Sequence, residues 1–278
     1  MPDDMIDYDG NPINALYGFC RFLGDFIEQV RPEHLAVLWD ESLTTSFRNE
    51  IYPDYKANRE PAPPELERQF EHCREFTRGL GVAEFGHHYY EADDLIGTLV
   101  MHGREYGRPS TILTRDKDLA QLLQRDDVFW DFAGKGRVTY RQVPDVFFGV
   151  WPEQIADFLA LAGDSVDNIK GVPGIGQKTA TALLRHFGSL EELYANIDRV
   201  HEVNVRGAKT LGARLEQHRD DAMLARRLTG IACDAPLETT EAGLKPRKPD
   251  LGRVNALFDR VNIGTALRRQ AERISDLH

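Results

Sequence analysis

From about residue 12 onward apolar side chains return every three or four positions, with Leu16, Phe19, Leu23 and Phe26 on one face, which predicts an amphipathic helix. The stretch HLAVLWD at 34–40 is instead a continuous apolar run closed by an acid, the pattern of a buried strand, and STILTRDKD at 110–118 repeats it. Polar, proline-bearing chain fills 42–65, and helical spacing resumes over about 65–80 and 91–106. Strands alternating with helices predict an α/β domain, a mostly parallel sheet flanked by helices. DVFWDFAGKGRVTY at 127–140 reads as a hairpin at the sheet edge, and after it the pattern changes. From Pro152 only helical periodicity remains, over 152–162, 177–186, 189–195, about 206–228 and about 250–274, interrupted by glycine turns. The boundary falls near 150, giving an α/β domain at 1–150 and a helical domain at 151–278.

Composition narrows the class of protein. With 278 residues, 41% apolar and 28% charged, the chain can bury ample cores and is not a disordered tract. No apolar run approaches the roughly 18 residues that span a bilayer and no basic-plus-apolar leader opens the chain, so the expectation is a cytoplasmic protein without a membrane partner. Cys20, Cys73 and Cys233 are too few and too scattered for a disulfide framework or a zinc knuckle. A net charge of -11 weighs against a uniformly basic, nucleic-acid-binding surface, yet the charge is uneven. The first fifty residues are acidic, whereas Lys170, Lys178, Arg185, Arg206, Lys209, Arg214, Arg226 and Arg227 make the later part more basic. That asymmetry fits a metal-binding half and a phosphate-binding half.

Ligands of open parallel sheets collect beyond the carboxyl ends of the strands. Asp40 closes one predicted strand, Asp116 and Asp118 follow another, and Glu91, Asp93 and Asp94 stand at the start of a helix. Taken singly each acid has an ordinary explanation, because acids stabilise first helical turns and a lone aspartate after a strand commonly forms a turn. Their convergence on one edge without matching lysines is less ordinary. Crowded carboxylates repel one another, and a hard divalent cation such as Mg²⁺ or Mn²⁺ is the natural counter-charge. Neither the histidine and cysteine cluster of a zinc site nor a serine nucleophile elbow is present.

The stretch LALAGDSVDNIKGVPGIGQKTATALL at 159–184 places Asp164 and Asp167 just ahead of a glycine turn. Gln177 separates Gly176 from Lys178, so this is no Walker loop, and Thr179 stands where a dinucleotide fingerprint needs its third glycine. What remains is helix, glycine hairpin, helix, with Gly171, Gly174 and Gly176 leaving backbone N–H groups open to a phosphodiester and Lys178 and Thr179 opening the next helix.

Four stretches, FRNEIYPDYKANR (47–59), YEADDLIG (90–97), LTRDKDLAQLL (113–123) and GDSVDNIKGVPGIGQKTA (163–180), together resemble the 5′ nuclease family. Its members include the 5′-to-3′ exonuclease domain of bacterial DNA polymerase I, phage 5′ exonucleases and flap endonucleases. The resemblance implies a PIN-like α/β core followed by a helical domain with a helix-hairpin-helix, acting as a monomer on DNA with 5′ ends or flaps. It implies two divalent ions, with Asp40, Glu91, Asp93 and Asp94 in one ligand group, Asp164 and Asp167 in the second, and Asp116 and Asp118 between them. It also implies catalytic Lys56 and Arg59 on a helical arch, DNA contacts from Arg48, Tyr55 and Lys117, and a potassium ion at the helix-hairpin-helix. One departure stands out: the apolar first strand ending in aspartate is lacking, since MIDYDGNP at 5–12 is a polar turn. Two alternatives follow, a structure-specific DNA-binding protein without catalysis and a nuclease directed at RNA.

Overall fold

A computed structural model describes residues 5–132, 134 and 136–278. The helices are α1 (Asn14–Val30), α2 (Phe47–Ile51), α3 (Pro64–Gly79), α4 (Ala92–Glu105), α5 (Val143–Val146), α6 (Ile155–Ala162), α7 (Gln177–Phe187), α8 (Leu190–Ala195), α9 (Ala208–Gln217), α10 (Arg219–Thr229), α11 (Leu251–Arg260) and α12 (Thr265–Ser275). The strands are β1 (Ala36–Asp40), β2 (Ala83–His87), β3 (Thr111–Leu113), β4 (Val128–Asp131) and β5 (Gly136–Thr139). Among the described residues all five strands precede residue 150 and only helices and turns follow it, the mixed α/β and helical succession that the periodicity predicts.

The strands do not form one parallel sheet: β1 and β2 make one sheet, and β3, β4 and β5 make another. β3 and β4 run parallel, with Ile112 opposite Phe129, while β4 and β5 run antiparallel, with Phe129 opposite Val138. This second pair is the expected edge hairpin, of which Ala133 and Lys135 lie outside the described residues. The opening segment is the polar turn expected, since the Asp7 carboxylate accepts from the backbone N–H groups of Asp9 and Asn11 at 2.9 and 2.8 Å; Met1–Asp4 lie outside the described residues.

Compactness partitions the chain differently from the break in periodicity near 150. One compact unit comprises 1–39, 60–86 and 237–278, and the other 40–59 and 87–236. In the first, α1, α3, α11 and α12 pack together, with Phe76 stacked on Phe258 at a centroid distance of 5.6 Å. Gln69 Oε1 accepts from the N–H groups of Ala15 and Leu16 at 2.9 and 3.1 Å, satisfying donors that the start of α1 would otherwise leave orphaned.

The second unit carries the site. Its core joins Phe129, Val138, Ile155, Phe158, Leu183, Leu184 and Leu193. Asp157, buried on α6, accepts the Leu190 N–H at 2.9 Å and pairs with Arg226, so one carboxylate fixes α6 against both α8 and α10. The α6–turn–α7 segment is thereby held from two sides.

Candidate active site

Each acidic residue arrives by a distinct local route. Asp40 is the exposed last residue of β1, and its Oδ1 accepts the Ala92 N–H at 2.7 Å. Asp116 and Asp118 follow β3, where the chain tightens into a 3₁₀ turn (Lys117–Leu122), and Asp116 Oδ1 accepts the Asp118 N–H at 3.0 Å. Asp164 and Asp167 occupy the loop after α6, closed by reciprocal backbone bonds between Asp164 and Ile169 at 2.9 and 2.7 Å.

Asp40, Asp93, Asp116, Asp118, Asp164 and Asp167 line one open cavity of about 930 Å³. Burial pushes Asp93 up to about 8, helped by the charges of Asp116, Asp40 and Glu91 and opposed by Lys56. Burial likewise raises Asp118 to about 7, with Asp116, Asp164 and Asp167 adding to the effect and Lys117 opposing it, and it raises Asp164 as well. A cavity that makes its own carboxylates basic is one that a divalent cation would relieve. The donors are all hard oxygens, which suits Mg²⁺ or Mn²⁺. Among the described residues no three histidine, cysteine, aspartate or glutamate side chains converge into a ready cation cage. That spacing is compatible with Mg²⁺, which keeps several waters and takes only one or two carboxylates directly.

The two other acids expected as ligands do not line the cavity. Asp94 is wholly buried: Arg48 donates to it twice, at 2.7 and 2.8 Å, and the N–H groups of Glu91 and Ala232 donate at 3.0 and 2.9 Å. Four donors occupy its lone pairs, so Asp94 holds the fold together. Glu91, the N-cap residue of α4, takes Lys56 Nζ at 2.6 Å and the Tyr55 hydroxyl at 2.9 Å.

The same contacts engage the residues of the 47–59 stretch. Arg48 is 3% exposed, and besides Asp94 its guanidinium donates to the carbonyls of Leu228 and Gly230 at 2.9 and 2.8 Å, which leaves nothing for DNA. Tyr55, also 3% exposed, has its hydroxyl 2.9 Å from Glu91 and 3.1 Å from Asp167, so its single O–H is shared between two carboxylates and its ring is buried. Residues 53–58 form consecutive turns rather than a helical arch. They are pinned to the 164–168 loop: the Lys56 N–H donates to the Asp167 carbonyl at 3.0 Å, and Arg59 Nη2 donates to Asp167 Oδ1 at 2.5 Å. Lys56 and Arg59 do line the cavity, but both are engaged, with Glu91 and Asp167 respectively.

Exposed Lys117 and Gly176 and half-buried Gly171 of the glycine turn also line the cavity. Gly176 is the N-cap residue of α7, and a Cβ there would meet nothing within 4 Å. Gly174 has φ +76°, and a Cβ there would lie 2.5 Å from Nη1 of Arg214. Gly171 is glycine for a different reason: a Cβ would overlap Gly163 N and lie 2.6 Å from the Leu161 carbonyl oxygen, so it permits the chain to double back on α6. Lys178 is exposed and Thr179 half-buried in the first turn of α7. One cavity cation was missed in the sequence, Arg115, and Lys170, counted there only towards the basic later half, lines the cavity too. Both lie inside motifs already singled out, and alternation of base with acid in TRDKD was the available signal for Arg115.

An aspartate-lined cavity beyond a β-strand, continuous with a helix-hairpin-helix turn, defines an acidic-site α/β protein equipped to meet a polyanion. Residues 1–146 match the model of the 5′-3′ exonuclease N-terminal resolvase-like domain, and residues 150–251 match that of the 5′-3′ exonuclease C-terminal SAM fold. The chain belongs to the 5′-3′ exonuclease family. DNA polymerase I of Pseudomonas aeruginosa is 40% identical over 250 residues, which is 90% of this chain and 27% of that protein. DNA polymerase I of Bacillus subtilis is 36% identical over 269 residues, 93% of this chain and 29% of that protein. The chain thus spans less than a third of the length of these relatives. Among solved structures, the T5 5′-exonuclease with bound divalent zinc aligns with a TM-score of 0.62 at 19% identity, covering 94% of this chain and 90% of that one. The catalytic core of Rad2 in complex with DNA substrate aligns at 0.58 and 15%, covering 93% and 83%. At such identities the likeness is one of fold. Among the described residues no helix is long and apolar enough to cross a membrane.

Proposed function

We propose that this chain hydrolyses DNA phosphodiester bonds as a 5′-to-3′ exonuclease and structure-specific 5′ flap endonuclease, as a monomer, using two divalent cations, Mg²⁺ or Mn²⁺. One observation carries the reading: six aspartates from four separate segments line a single cavity whose wall continues into the glycine turn of a helix-hairpin-helix. Catalysis is assigned to residues 1–150 and the grip on duplex DNA to 151–278, with a potassium ion at the hairpin. The solved structures of similar fold support the substrate and the metals, since the Rad2 core was solved with DNA and the T5 5′-exonuclease with divalent ions.

Asp40, Asp93 and Asp116 would serve one cation and Asp118, Asp164 and Asp167 the other, partly through bound water, since no three of them converge on one point among the described residues. The bound cations would supply Lewis acidity, for activating water and for offsetting charge on the departing 3′ oxygen. Lys56 and Arg59 line the cavity while paired with Glu91 and Asp167, and each keeps spare N–H donors that would meet a scissile phosphate. The open N–H groups at Gly176 and the start of α7 would donate to phosphates of the duplex whatever its base sequence. Selection is therefore by DNA structure.

A labelled 5′ flap, incubated with the chain in EDTA, Mg²⁺ or Mn²⁺, tests the proposal. Cleavage should require the divalent ion and yield products with a 5′ phosphate, and Asp116→Ala should lose it by orders of magnitude while still binding the flap. Undiminished cleavage by Asp116→Ala would refute the site. The second reading, DNA binding without catalysis, is favoured by the lack of a ready cation cage among the described residues. Tight flap binding with no cleavage at any Mg²⁺ or Mn²⁺ concentration would select it, and matched RNA flaps would expose an RNA-directed activity.

A further inference from the structure

The two cations assigned to catalysis already have carboxylate partners. Lys56 Nζ lies 2.6 Å from Glu91, and Arg59 Nη2 lies 2.5 Å from Asp167. Arg115 is different. It lines the same cavity, is exposed, and makes no side-chain hydrogen bond or ion pair among the described residues, although six aspartates share that cavity. Its backbone is nonetheless fixed. The Thr114 N–H donates to the Trp130 carbonyl at 3.2 Å and the Asp116 N–H donates to Thr114 Oγ1 at 3.0 Å, which clamps residue 115 between the end of β3 and the following 3₁₀ turn.

A guanidinium carries five N–H donors in a planar fork and no acceptor, and the partner that best satisfies the fork is a carboxylate or a phosphate. Here the local carboxylates leave it unclaimed, while its anchor point is rigid and its cavity is the one assigned to DNA cleavage. We propose that Arg115 is a substrate contact that grips a DNA phosphate in two-pronged fashion and positions the strand in the cavity, an inference that rests on the hydrolytic reading for its substrate. The phosphate is either an internal phosphodiester or a 5′-terminal phosphate, which present the same chemistry.

The test uses the full chain and single-stranded oligonucleotides carrying either a 5′ phosphate or a 5′ hydroxyl. Binding is followed by fluorescence anisotropy across a salt series in Ca²⁺, and cleavage of the matching flaps is measured separately in Mg²⁺. Arg115→Gln should weaken binding about 10-fold and make the slope of log K against log salt shallower by about 0.7, the value for one phosphate contact on a single strand. Arg115→Lys should restore the slope but only part of the affinity, because it keeps the charge and loses the fork. Arg141→Gln, an exposed arginine outside the cavity, controls for net charge and should leave the slope alone. In Mg²⁺, KM should rise for Arg115→Gln more than kcat falls.

A loss confined to the phosphorylated strand identifies the terminal group, and a loss on both identifies an internal phosphate. Parent-like affinity and slope for Arg115→Gln on both strands would overturn the proposal. The two readings separate cleanly. Arg115-dependent binding without any cleavage counts against hydrolysis alone, and cleavage insensitive to Arg115 in both binding and KM counts against this contact alone. Arg115 supports no other side chain, so both variants should keep the parent's thermal midpoint; if the glutamine form does not fold, the lysine form still carries the affinity prediction.

Discussion

Arg48 holds Asp94 by both nitrogens of its fork, at 2.7 and 2.8 Å, with side-chain exposures of 3% and 0%. Removing one partner of such a pair strands the other charge without water, at a cost of about 3–5 kcal/mol. Arg48→Ala and Asp94→Ala should each lower unfolding free energy by that order, read by denaturant titration with no metal added. A stable Asp94→Ala protein that had lost only its response to Mg²⁺ would return Asp94 to the list of ligands.

Tyr55→Phe separates two accounts of one residue. A ring used for stacking on a base would survive the change almost unaltered. The hydroxyl instead bridges Glu91 and Asp167 at 2.9 and 3.1 Å inside a buried network that includes Lys56. Loss of that one shared donor should destabilise the protein by about 1–3 kcal/mol, because the buried carboxylates it serves are left short of a hydrogen bond. An unchanged midpoint in thermal or denaturant unfolding would contradict the network.

The raised carboxyls make metal-free stability depend on pH. Asp93 and Asp118 titrate near 8 and 7 in the fold, against 3.8 for an ordinary aspartate, so between those values the folded chain binds more protons than the unfolded one. Stability from these groups is therefore fully present below about pH 4 and is lost as pH rises towards 8. In EDTA the thermal midpoint should fall between pH 5 and pH 8, and Asp118→Asn should flatten the decline. Mg²⁺ should raise the midpoint most at pH 8, and its binding near pH 7 should release protons, measurable by calorimetry in buffers of different ionisation enthalpy. A midpoint in EDTA that ignores pH would show that these carboxylates are not crowded.

What the chain's pattern could reveal depended on how local the cause was. The face of α1 with Leu16 and Leu23 buried, the strand ending at Asp40 and the α6–turn–α7 unit are set by neighbours in sequence and were legible. The segment 250–274 reads as one helix because its apolar spacing carries through, yet the chain breaks between α11 and α12, where Asn262 takes φ +56°. β2, AEFGH, has too short an apolar run to declare itself and is formed by pairing with β1. The site shows the same limit. Asp93 and Asp94 are adjacent acids in one helical turn, but one lines the cavity and the other is claimed by Arg48, 46 residues away. Only the fold brings that arginine in.

Gly171 and Gly176 stand in the same turn and should respond oppositely to alanine. A Cβ at Gly171 would press on the backbone of Gly163, Ala162 and Leu161, atoms that cannot rotate away, so Gly171→Ala should cost about 1–3 kcal/mol or more through forced backbone movement. At Gly176 φ is -96°, an angle alanine adopts freely, and no atom lies within 4 Å of the added carbon. The change there should cost about 1 kcal/mol or less, the usual penalty for alanine at an N-cap. The open space beside Gly176 is also where a phosphodiester must approach the first N–H groups of α7, and a methyl would keep it at a distance. Gly176→Ala should therefore weaken duplex binding by about 10-fold, or 1.4 kcal/mol, in a protein that unfolds almost like its parent. Measuring both variants by denaturant titration and by anisotropy with a labelled duplex separates packing from recognition; parent-like duplex affinity in Gly176→Ala would mean that the DNA backbone does not use this turn.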